Sequence, residues 1–369
     1  MHRNSPKIYC FLFIILLFLA VSVLLLQKRL LFSVSSTASN QSSTEQPLQN
    51  ASSDIPALEV TAGTNGDYIK WVDFNITCDA LSLAYELDVS SYDAEVHLNW
   101  IELLAYAGAK CGGSFDKESL TLIKKLASEI SSGETSLEAL TVDMNYYDYY
   151  LEAYEAVLGG MVGEYEIEQS DENGNKIWKK VYGLKAFSPI AKGFPYNDYD
   201  DFGSSRSYGY QRQHLGHDMM GQIGTPIIAI ESGYVEALGW NQYGGWRIGI
   251  RSFDKKRYYY YAHLRQNFPY ALSLEEGSIV TAGDVIGYMG HTGYSTVENT
   301  NNIDTVHLHW GLQLIFDESQ KEGNNEIWID CYELTKFLYK NRSEAQKNTE
   351  TKEWLRVYQM QDPAVENYK

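Results

Sequence analysis

Cationic residues are scarce in this chain. Its 369 residues include 30 Lys and Arg against 48 Asp and Glu, which gives a formal net charge of −18. A nucleic-acid-binding surface needs cations that replace phosphate counterions, and no segment here supplies a dense basic stripe. The composition therefore predicts no nucleic-acid partner, and it argues equally against a globular part held on an anionic membrane surface.

Cysteine is also rare. Cys10, Cys78, Cys111 and Cys331 are the whole set, too few and too scattered for a disulfide framework or a Cys-rich zinc site. A Cys78–Cys111 bridge is compatible with an oxidising compartment, and free buried thiols are the alternative.

Long apolar runs are confined to the N-terminus. Residues 8–26 carry no charged side chain, and roughly 20 such residues suffice to cross the hydrocarbon core of a bilayer. Lys28 and Arg29 follow closely, where a cleaved signal peptide would have a small-residue cleavage site. We therefore expect a cytoplasmic tail at residues 1–7 and an uncleaved transmembrane signal anchor at 8–26, with a cleaved signal peptide as the alternative.

Composition and periodicity divide the next part of the chain. Residues 27–57 are rich in Ser, Thr, Asn and Gln, which predicts a flexible tether. Residues 58–162 repeat apolar side chains at three- and four-residue spacing, which predicts a helical domain of about four helices. Residues 163–186 hold two alternating runs around Asn173-Gly174, typical of a β-hairpin connector. The helical domain contains no cluster of candidate acids, bases or ligands, so we expect it to be dispensable for chemistry.

The remainder is expected to be mainly β-structure. Short β-branched and aromatic runs separated by glycines predict an antiparallel β domain at residues 187–318. Residues 319–369 are expected to form a closing helix, near 326–339, and a loose polar tail. The predicted fold class is thus α+β: an N-terminal transmembrane helix, a small helical domain, and then an antiparallel β-sheet domain.

Histidines cluster in the predicted β domain, where six of the eight lie between positions 214 and 309. In the segment HLGHD, His214 and Asp218 are four residues apart, with a glycine between them to let the backbone turn, so both can reach one divalent ion. In HLH, His307 and His309 are two apart, and on a strand such side chains point to the same face. His263 ends the run RYYYYAH, where we expect it to share a strand face with Tyr259 and Tyr261.

These residue types suit a catalytic zinc site. Two imidazoles and one carboxylate, with a water in the fourth position, form a known catalytic zinc sphere. Zinc acidifies that water and polarises a carbonyl, while further histidines suit proton transfer and oxyanion stabilisation. No Ser or Cys has the sequence context of a nucleophile elbow. HxxxD and HxH are each weak signals, but together in one β domain they favour a zinc hydrolase.

From about Phe187 to Phe316 the sequence resembles the lysostaphin-type zinc endopeptidases of bacterial cell walls. The matching stretches are HLGHDMMGQIGTPIIAIESGYVEALGWNQYGGWRIGI, YYYYAHLRQ, EEGSIVTAGDVIGYMGHTGYST and VHLHWG. The resemblance implies a small antiparallel sheet, the duplicated hybrid motif fold, with the metal in a groove above it.

The resemblance also implies the roles of the site residues. One zinc ion per chain would be bound by three ligands: His214, Asp218 and His309. His307 and His263 would act as general base and transition-state stabiliser. A tyrosine shortly before the first ligand would help to hold the oxyanion, and Tyr208 stands in that place, with Tyr210 as the alternative.

In this interpretation the chain is a membrane-anchored zinc metalloendopeptidase that hydrolyses peptide bonds of peptidoglycan in cell-wall remodelling. The expected location is the cell membrane, single-pass, with the catalytic domain outside the cytoplasm. The expected partners are peptidoglycan peptides and the membrane, through one N-terminal helix. A protein partner of the helical domain is left open.

Three features depart from the family pattern. Trp310 is followed by Gly311, where the family often has an acidic or amide residue. The insertion TVENTNNIDT is expected to lengthen one groove wall. Of the two extra histidines, His217 is expected to face away from the metal, because its neighbour Asp218 faces it, and His291 is expected on a loop near the substrate.

Two other classes of function compete with this interpretation. A non-catalytic zinc-binding scaffold of a wall-remodelling or sporulation complex is the main alternative, and the complete ligand set favours the enzyme over it. The stretch GSIVTAGDVIGYMG resembles the hairpins of biotinyl and lipoyl carriers, but it lacks the lysine that such a carrier requires.

Overall fold

The computed structural model describes residues 69–207, 211–321 and 325–368. The predicted anchor at 8–26 and the tether at 27–57 lie outside these residues. Among the helices that are described, none combines the length and the apolar character needed to cross a bilayer. The described chain is mixed α+β, and its paired strands run antiparallel, which confirms the α+β part of the predicted fold class.

Helices occupy the part of the chain before the first strand. In the described residues they are α1 (Cys78–Ser91), α2 (Trp100–Cys111), α3 (Lys117–Ser131), α4 (Leu137–Thr141) and α5 (Tyr147–Leu158). The short α4 is too brief for apolar periodicity to reveal. Capping residues set the ends of helix α2. The Asn99 side chain accepts hydrogen bonds from its first backbone N–H groups. Gly112 ends the helix with a left-handed φ of 61°.

A hairpin follows the helices. Strands β1 (Val162–Ser170) and β2 (Lys176–Leu184) pair along their whole length. Gly174 in the turn between them has φ 81°, a conformation that favours glycine.

The C-terminal tail is ordered against the rest of the fold, so the expectation of a loose tail is wrong. It contains β15 (Ala345–Lys347), β16 (Trp354–Arg356), β17 (Met360–Gln361) and α7 (Pro363–Tyr368). Strand β17 pairs with β1. The buried guanidinium of Arg356 donates to the carbonyl of Ala282 at 3.0 Å and to Asp284 at 3.1 Å. A tail with few apolar residues is thus held by hydrogen bonds that its sequence pattern does not reveal.

The main sheet has eight strands in the described residues. Its order is β11-β8-β9-β10-β13-β6-β3, with β14 also paired to β13. The strands before residue 230 are β3 (Asn197–Asp198), β4 (Ser205–Ser207), β5 (Gln211–Gln213), β6 (His217–Met220) and β7 (Pro226–Ile228). Those after it are β8 (Gly233–Asn241), β9 (Gly245–Ser252), β10 (Arg257–Ala262), β11 (Ile279–Val280), β12 (Val285–Tyr288), β13 (His307–Leu314) and β14 (Ile327–Ile329). The helix expected near 326–339 therefore begins as a strand and continues, after a break, as α6 (Tyr332–Leu338).

Strand β13 separates the core from the candidate site. Leu308, Trp310, Leu312 and Leu314 point to one face and are fully buried. His307, His309 and Gly311 alternate with them, so they belong to the opposite face. The buried layer is continuous with the helices: the ring of Phe337 in α6 lies 5.7 Å from that of Tyr85 and 5.8 Å from that of Trp100. One hydrophobic core thus supports both the helices and the sheet.

Candidate active site

The register of two neighbouring strands brings the predicted ligands together. Strands β6 and β13 pair so that Asp218 lies directly opposite His309, and cross-strand neighbours on one face are close enough for their side chains to touch. His214 lies three residues before β6, and its backbone N–H is held by the carbonyl of Ser204 at 2.9 Å. Two strands and one loop anchor therefore position the three side chains.

Their potential ligand atoms form a tight triangle. His214 Nε2 lies 3.0 Å from Asp218 Oδ1 and 3.1 Å from His309 Nδ1, and His309 Nδ1 lies 2.9 Å from the same Asp218 oxygen. Ligand atoms about 2.0–2.1 Å from a tetrahedral zinc ion are themselves roughly 3.3 Å apart. Three electron-pair donors this close together, with His214 and Asp218 buried, therefore fit a zinc ion in both number and chemistry.

Two residues that the sequence interpretation missed support this triangle. Asp201 lies beside the other nitrogen of the His214 ring, with its carbonyl oxygen 3.3 Å and its Oδ1 3.1 Å from Nδ1. Arg206 Nη2 donates to Asp218 Oδ2 at 3.1 Å and also pairs with Asp201. Such partners fix the tautomer of a histidine and the orientation of a carboxylate. The signal in the sequence was the cluster of acidic residues, followed by two arginines, just before HLGHD.

The Asp218 carboxylate is strongly favoured in its charged form. Burial would raise the pKa of this carboxyl, but the adjacent rings of His214, His309 and His307 outweigh burial and hold the pKa well below its usual range. A carboxylate that stays ionised is the form that binds a cation.

The two remaining histidines of the predicted site are each anchored by a backbone carbonyl. His307 Nδ1 donates to Thr305 O at 2.8 Å, and His263 Nδ1 donates to Thr292 O at 2.9 Å. The Nε2 of His307 lies 3.7 Å from Asp218 Oδ1, and the rings of His263 and His307 are 4.7 Å apart. Because Nδ1 carries the proton that the carbonyl accepts, Nε2 of each neutral ring is left as a base.

The environment of His263 favours that neutral form. Burial, and then the neighbouring rings of His307 and His309, lower the pKa of His263 well below its usual range. The ring therefore rests uncharged, with an unprotonated Nε2 beside the ligand triangle.

The expectation that His263 shares a face with Tyr259 and Tyr261 is wrong. Those two tyrosines are buried in the core, where Tyr259 donates to Glu231 and Tyr261 accepts from the N–H of Ile230. Strand β10 ends at Ala262, and His263 has a left-handed φ of 61°. That turn breaks the alternation and brings His263 to the side of Tyr260, which lines the same cavity as the ligand triangle.

Gly216 has a steric role. It is not among the residues with positive φ, so the expected need for an unusual turn does not explain it. A Cβ at this position would lie 2.5 Å from Cε1 and 2.6 Å from Nε2 of His309. Glycine therefore makes room for the ring of the opposing strand.

Neither extra histidine belongs to the ligand triangle or lines the cavity above it. His217 is buried on the other face of β6, 3.1 Å from Asp198 Oδ2, as alternation along a strand requires. His291 Nδ1 lies 2.7 Å from the carbonyl of Ile303, so its ring braces the inserted loop. Ile303, within that insertion, lines the cavity wall. Tyr208 and Tyr210 lie outside the described residues.

The ligand triangle opens into a cleft. A cavity of about 150 Å³ lies above it, and a second of about 460 Å³ continues along the sheet. Four residues line both: Arg212, His214, Tyr260 and His309. Trp328 of β14 lines the second cavity, and its ring atom Cζ3 would be 2.8 Å from a Cβ at position 311. The glycine that departs from the family pattern therefore lets an indole lie over the floor of the cleft.

Comparison with known protein families locates this site in one domain. The model of peptidase family M23 matches residues 212–324, which include His214, Asp218, His263, His307 and His309. These residues form an M23 peptidase domain. The M23 domain contains all three corners of the ligand triangle and both carbonyl-anchored histidines, whereas Asp201 and Arg206 precede it.

Several characterised proteins are similar to the chain across this domain. The L-Ala–D-Glu endopeptidase of Bacillus subtilis is 37% identical over 144 residues, which are 39% of this chain and 40% of that protein. Lysostaphin of Staphylococcus simulans is 38% identical over 98 residues, 26% of this chain and 17% of lysostaphin. The solved structure of the lysostaphin catalytic domain is 30% identical, covers 38% of this chain and 92% of that domain, and has a TM-score of 0.30. The chain thus spans less than half the length of the two characterised relatives, and the shared part is the M23 domain.

Proposed function

We propose that this chain is a zinc metalloendopeptidase that hydrolyses peptide bonds of peptidoglycan. The observation that carries the proposal is the triangle of His214, Asp218 and His309, with atoms 2.9–3.1 Å apart, beside two histidines that present basic nitrogens. The names of the relatives support the substrate class, since one is an L-Ala–D-Glu endopeptidase and another a glycyl-glycine endopeptidase.

The proposed roles follow from which nitrogen of each ring is engaged. His214 through Nε2, His309 through Nδ1 and Asp218 through a carboxylate oxygen would bind the zinc ion. The metal would supply Lewis acidity that polarises a peptide carbonyl and acidifies water. His307 Nε2, the nearer to the Asp218 carboxylate, would accept the proton of the attacking water and later give a proton to the leaving amine.

His263 has a second role in this scheme. Its Nε2 carries no proton in the neutral ring, because Nδ1–H is already committed to Thr292, so it can accept a hydrogen bond from the hydroxyl that the attacking water, after losing one proton to His307, leaves on the tetrahedral intermediate. We therefore assign His263 transition-state stabilisation as a neutral ring that accepts this hydrogen bond, while Tyr208, whose place before the first ligand suits an oxyanion donor, would donate to the oxyanion.

Metal content and hydrolysis, measured together, test these assignments. Wild type is expected to hold one zinc per chain and to release fragments from purified cell wall. His309→Ala should lose the zinc, because it removes one corner of the triangle. His307→Ala and His263→Ala should keep zinc near one per chain, yet lose about 10²-fold or more in rate, the usual contribution of acid–base and oxyanion groups.

The same measurements separate an enzyme from a scaffold. A non-catalytic zinc-binding scaffold predicts that wild type and both variants bind zinc and show equally negligible turnover. Full zinc occupancy in His309→Ala would refute the ligand assignment. Loss of zinc in His307→Ala would exchange the roles of the two histidines on β13.

We further propose that residues 8–26 anchor the chain in the cell membrane, single-pass, with the catalytic domain outside the cytoplasm. The apolar run and the location of the proposed substrate support this arrangement. Protease added to intact, wall-stripped cells should remove the globular part. Protection that is lost only on lysis would mean that the opposite orientation is correct.

A further inference from the structure

Arg212 occupies a central place in the cleft. It lies on β5, in the short β4–β5 hairpin beside the ligand triangle, and it lines both cavities. A substrate peptide that runs through the cleft past His309 would therefore pass the guanidinium, whichever of the two cavities holds the residue next to the scissile bond.

This arginine has no carboxylate partner among the residues that the structure describes. Its neighbour across the hairpin is Arg206, and like charges in such positions are destabilising. Arg206 is neutralised by Asp201 and Asp218. Arg212, in contrast, forms no ion pair with a described residue, and its buried Nε lacks a hydrogen-bond partner there. Within the described part of the chain, the cleft therefore holds a cation without a carboxylate partner.

Aromatic stacking fixes the position of that cation. The guanidinium carbon of Arg212 lies 4.9 Å from the ring centroid of Tyr294. Tyr294 in turn stacks on His263, with ring centroids 6.0 Å apart and planes 28° apart. The ring of Tyr294 thus lies between the positive charge of Arg212 and the proposed catalytic residue His263. A stacked guanidinium can still donate hydrogen bonds from its edge, in its own plane.

We propose that Arg212 binds a free carboxylate on the substrate residue next to the scissile bond. This inference rests on the proposed peptidase function and specifies its substrate: a peptide whose glutamyl residue is not amidated. A glutamyl residue joined to its neighbours through its amine and one carboxyl group keeps the other carboxylate free, and the Bacillus relative is named for an L-Ala–D-Glu bond. A guanidinium matches a carboxylate in geometry and charge.

The alternative anion site in the cleft is less suitable. Arg206 already donates to two carboxylates. The second cavity is lined by one charged residue besides Arg212, namely Glu326. Glu326 is an acid, and its Oε2 accepts from the indole of Trp328 at 2.8 Å. Arg212 is therefore the group in the described cleft that gains most from an incoming carboxylate.

A matched pair of peptides tests the proposal on the full-length protein. The two differ only in whether the glutamyl residue after the scissile bond carries a free carboxylate or its amide. Wild type is expected to cleave the acidic peptide about 10- to 100-fold better in kcat/KM, the size of a charge-assisted hydrogen bond. Arg212→Gln should remove this preference, mainly through a higher KM for the acidic peptide, with zinc content unchanged. Arg212→Lys should restore part of it, because the charge returns without the planar fork.

Arg265→Gln is the control variant. Arg265 also stacks on a tyrosine, 4.7 Å from the ring of Tyr288, but it lines neither cavity of the cleft. It should keep the wild-type preference. Equal cleavage of both peptides by wild type would overturn the proposal, and so would an equal loss on both peptides in Arg212→Gln with KM unchanged.

Equilibrium binding of the two peptides separates failure of this proposal from failure of the peptidase function. If wild type cleaves neither peptide, the proposed function fails, and binding decides the role of Arg212. At least tenfold tighter binding of the acidic peptide, lost in Arg212→Gln and kept in Arg265→Gln, supports it. Equal binding of both peptides to wild type refutes it.

Discussion

Gly216 shows how a residue without a side chain can control the metal site. Gly216→Ala would place a methyl group 2.5 Å from the His309 ring and 2.8 Å from the carbonyl of Trp310. The ring has to move, because the carbonyl belongs to the ladder between two strands. We expect zinc content to fall well below one per chain and the free energy of unfolding to fall by about 1–3 kcal/mol, as for other overpacked sites. Metal analysis and denaturant unfolding measure the two effects.

A second glycine provides the control for this substitution. The closest atom to a Cβ at Gly163 is the side-chain Cε of Lys185, at 3.7 Å, which is an ordinary contact. Gly163→Ala should therefore keep wild-type zinc content. Normal zinc and unchanged stability in Gly216→Ala would mean that the His309 ring is not confined as the structure indicates.

At the scale of one element, adjacent residues of strand β6 contact different parts of the molecule. His217 and Asp218 point to opposite faces, so His217 meets Asp198 and the ring of Tyr332, whereas Asp218 meets the ligand triangle. His217→Ala should lower the free energy of unfolding by about 1–3 kcal/mol, because it leaves a cavity and removes a buried hydrogen bond. It should leave zinc at one per chain, whereas His214→Ala should lose it.

Unfolding curves and metal analysis of the two histidine variants check the face assignment of β6. Loss of zinc in a His217→Ala protein that remains folded would contradict it.

At the scale of the whole molecule, the helices and the M23 domain share one core. The Cys78 N–H at the start of α1 donates to Glu333 of α6 at 2.6 Å, and Arg257 of β10 donates to the carbonyl of Ala156 near the end of α5 at 3.0 Å. The expectation that the helical domain is dispensable for chemistry considered only where acids, bases and ligands lie. The packing gives the helices a supporting role.

Removal of residues 1–162 should therefore destabilise the remainder. Phe337 is fully buried against the helical part, and each large apolar side chain that becomes exposed costs about 1.5–3 kcal/mol, against a total stability of roughly 5–15 kcal/mol. We expect the fragment 163–369 to lack a cooperative unfolding transition and to bind zinc weakly. A fragment 63–369, which keeps the compact unit entire, should show both. Cooperative melting and full zinc in 163–369 would show that the helices are not required.

Local patterns in the sequence were sufficient for several features. The period of two along a strand predicted that His307 and His309 share a face and that His217 and Asp218 point to different faces. The pair Asn173-Gly174 predicted the turn of the hairpin. The spacing of His214 and Asp218 allowed both to reach one ion. Each of these depends on neighbours within a few residues, which the order of amino acids states directly.

Other features were decided only by the tertiary structure. The left-handed turn at His263, the close approach of Gly216 to His309, and the pairing of Arg206 with Arg212 all depend on which strand lies beside which, and in what register. The same holds for the tail, which a buried Arg356 fixes to loops more than seventy residues away. Register and long-range contact follow from packing of the whole core, and no local periodicity encodes them.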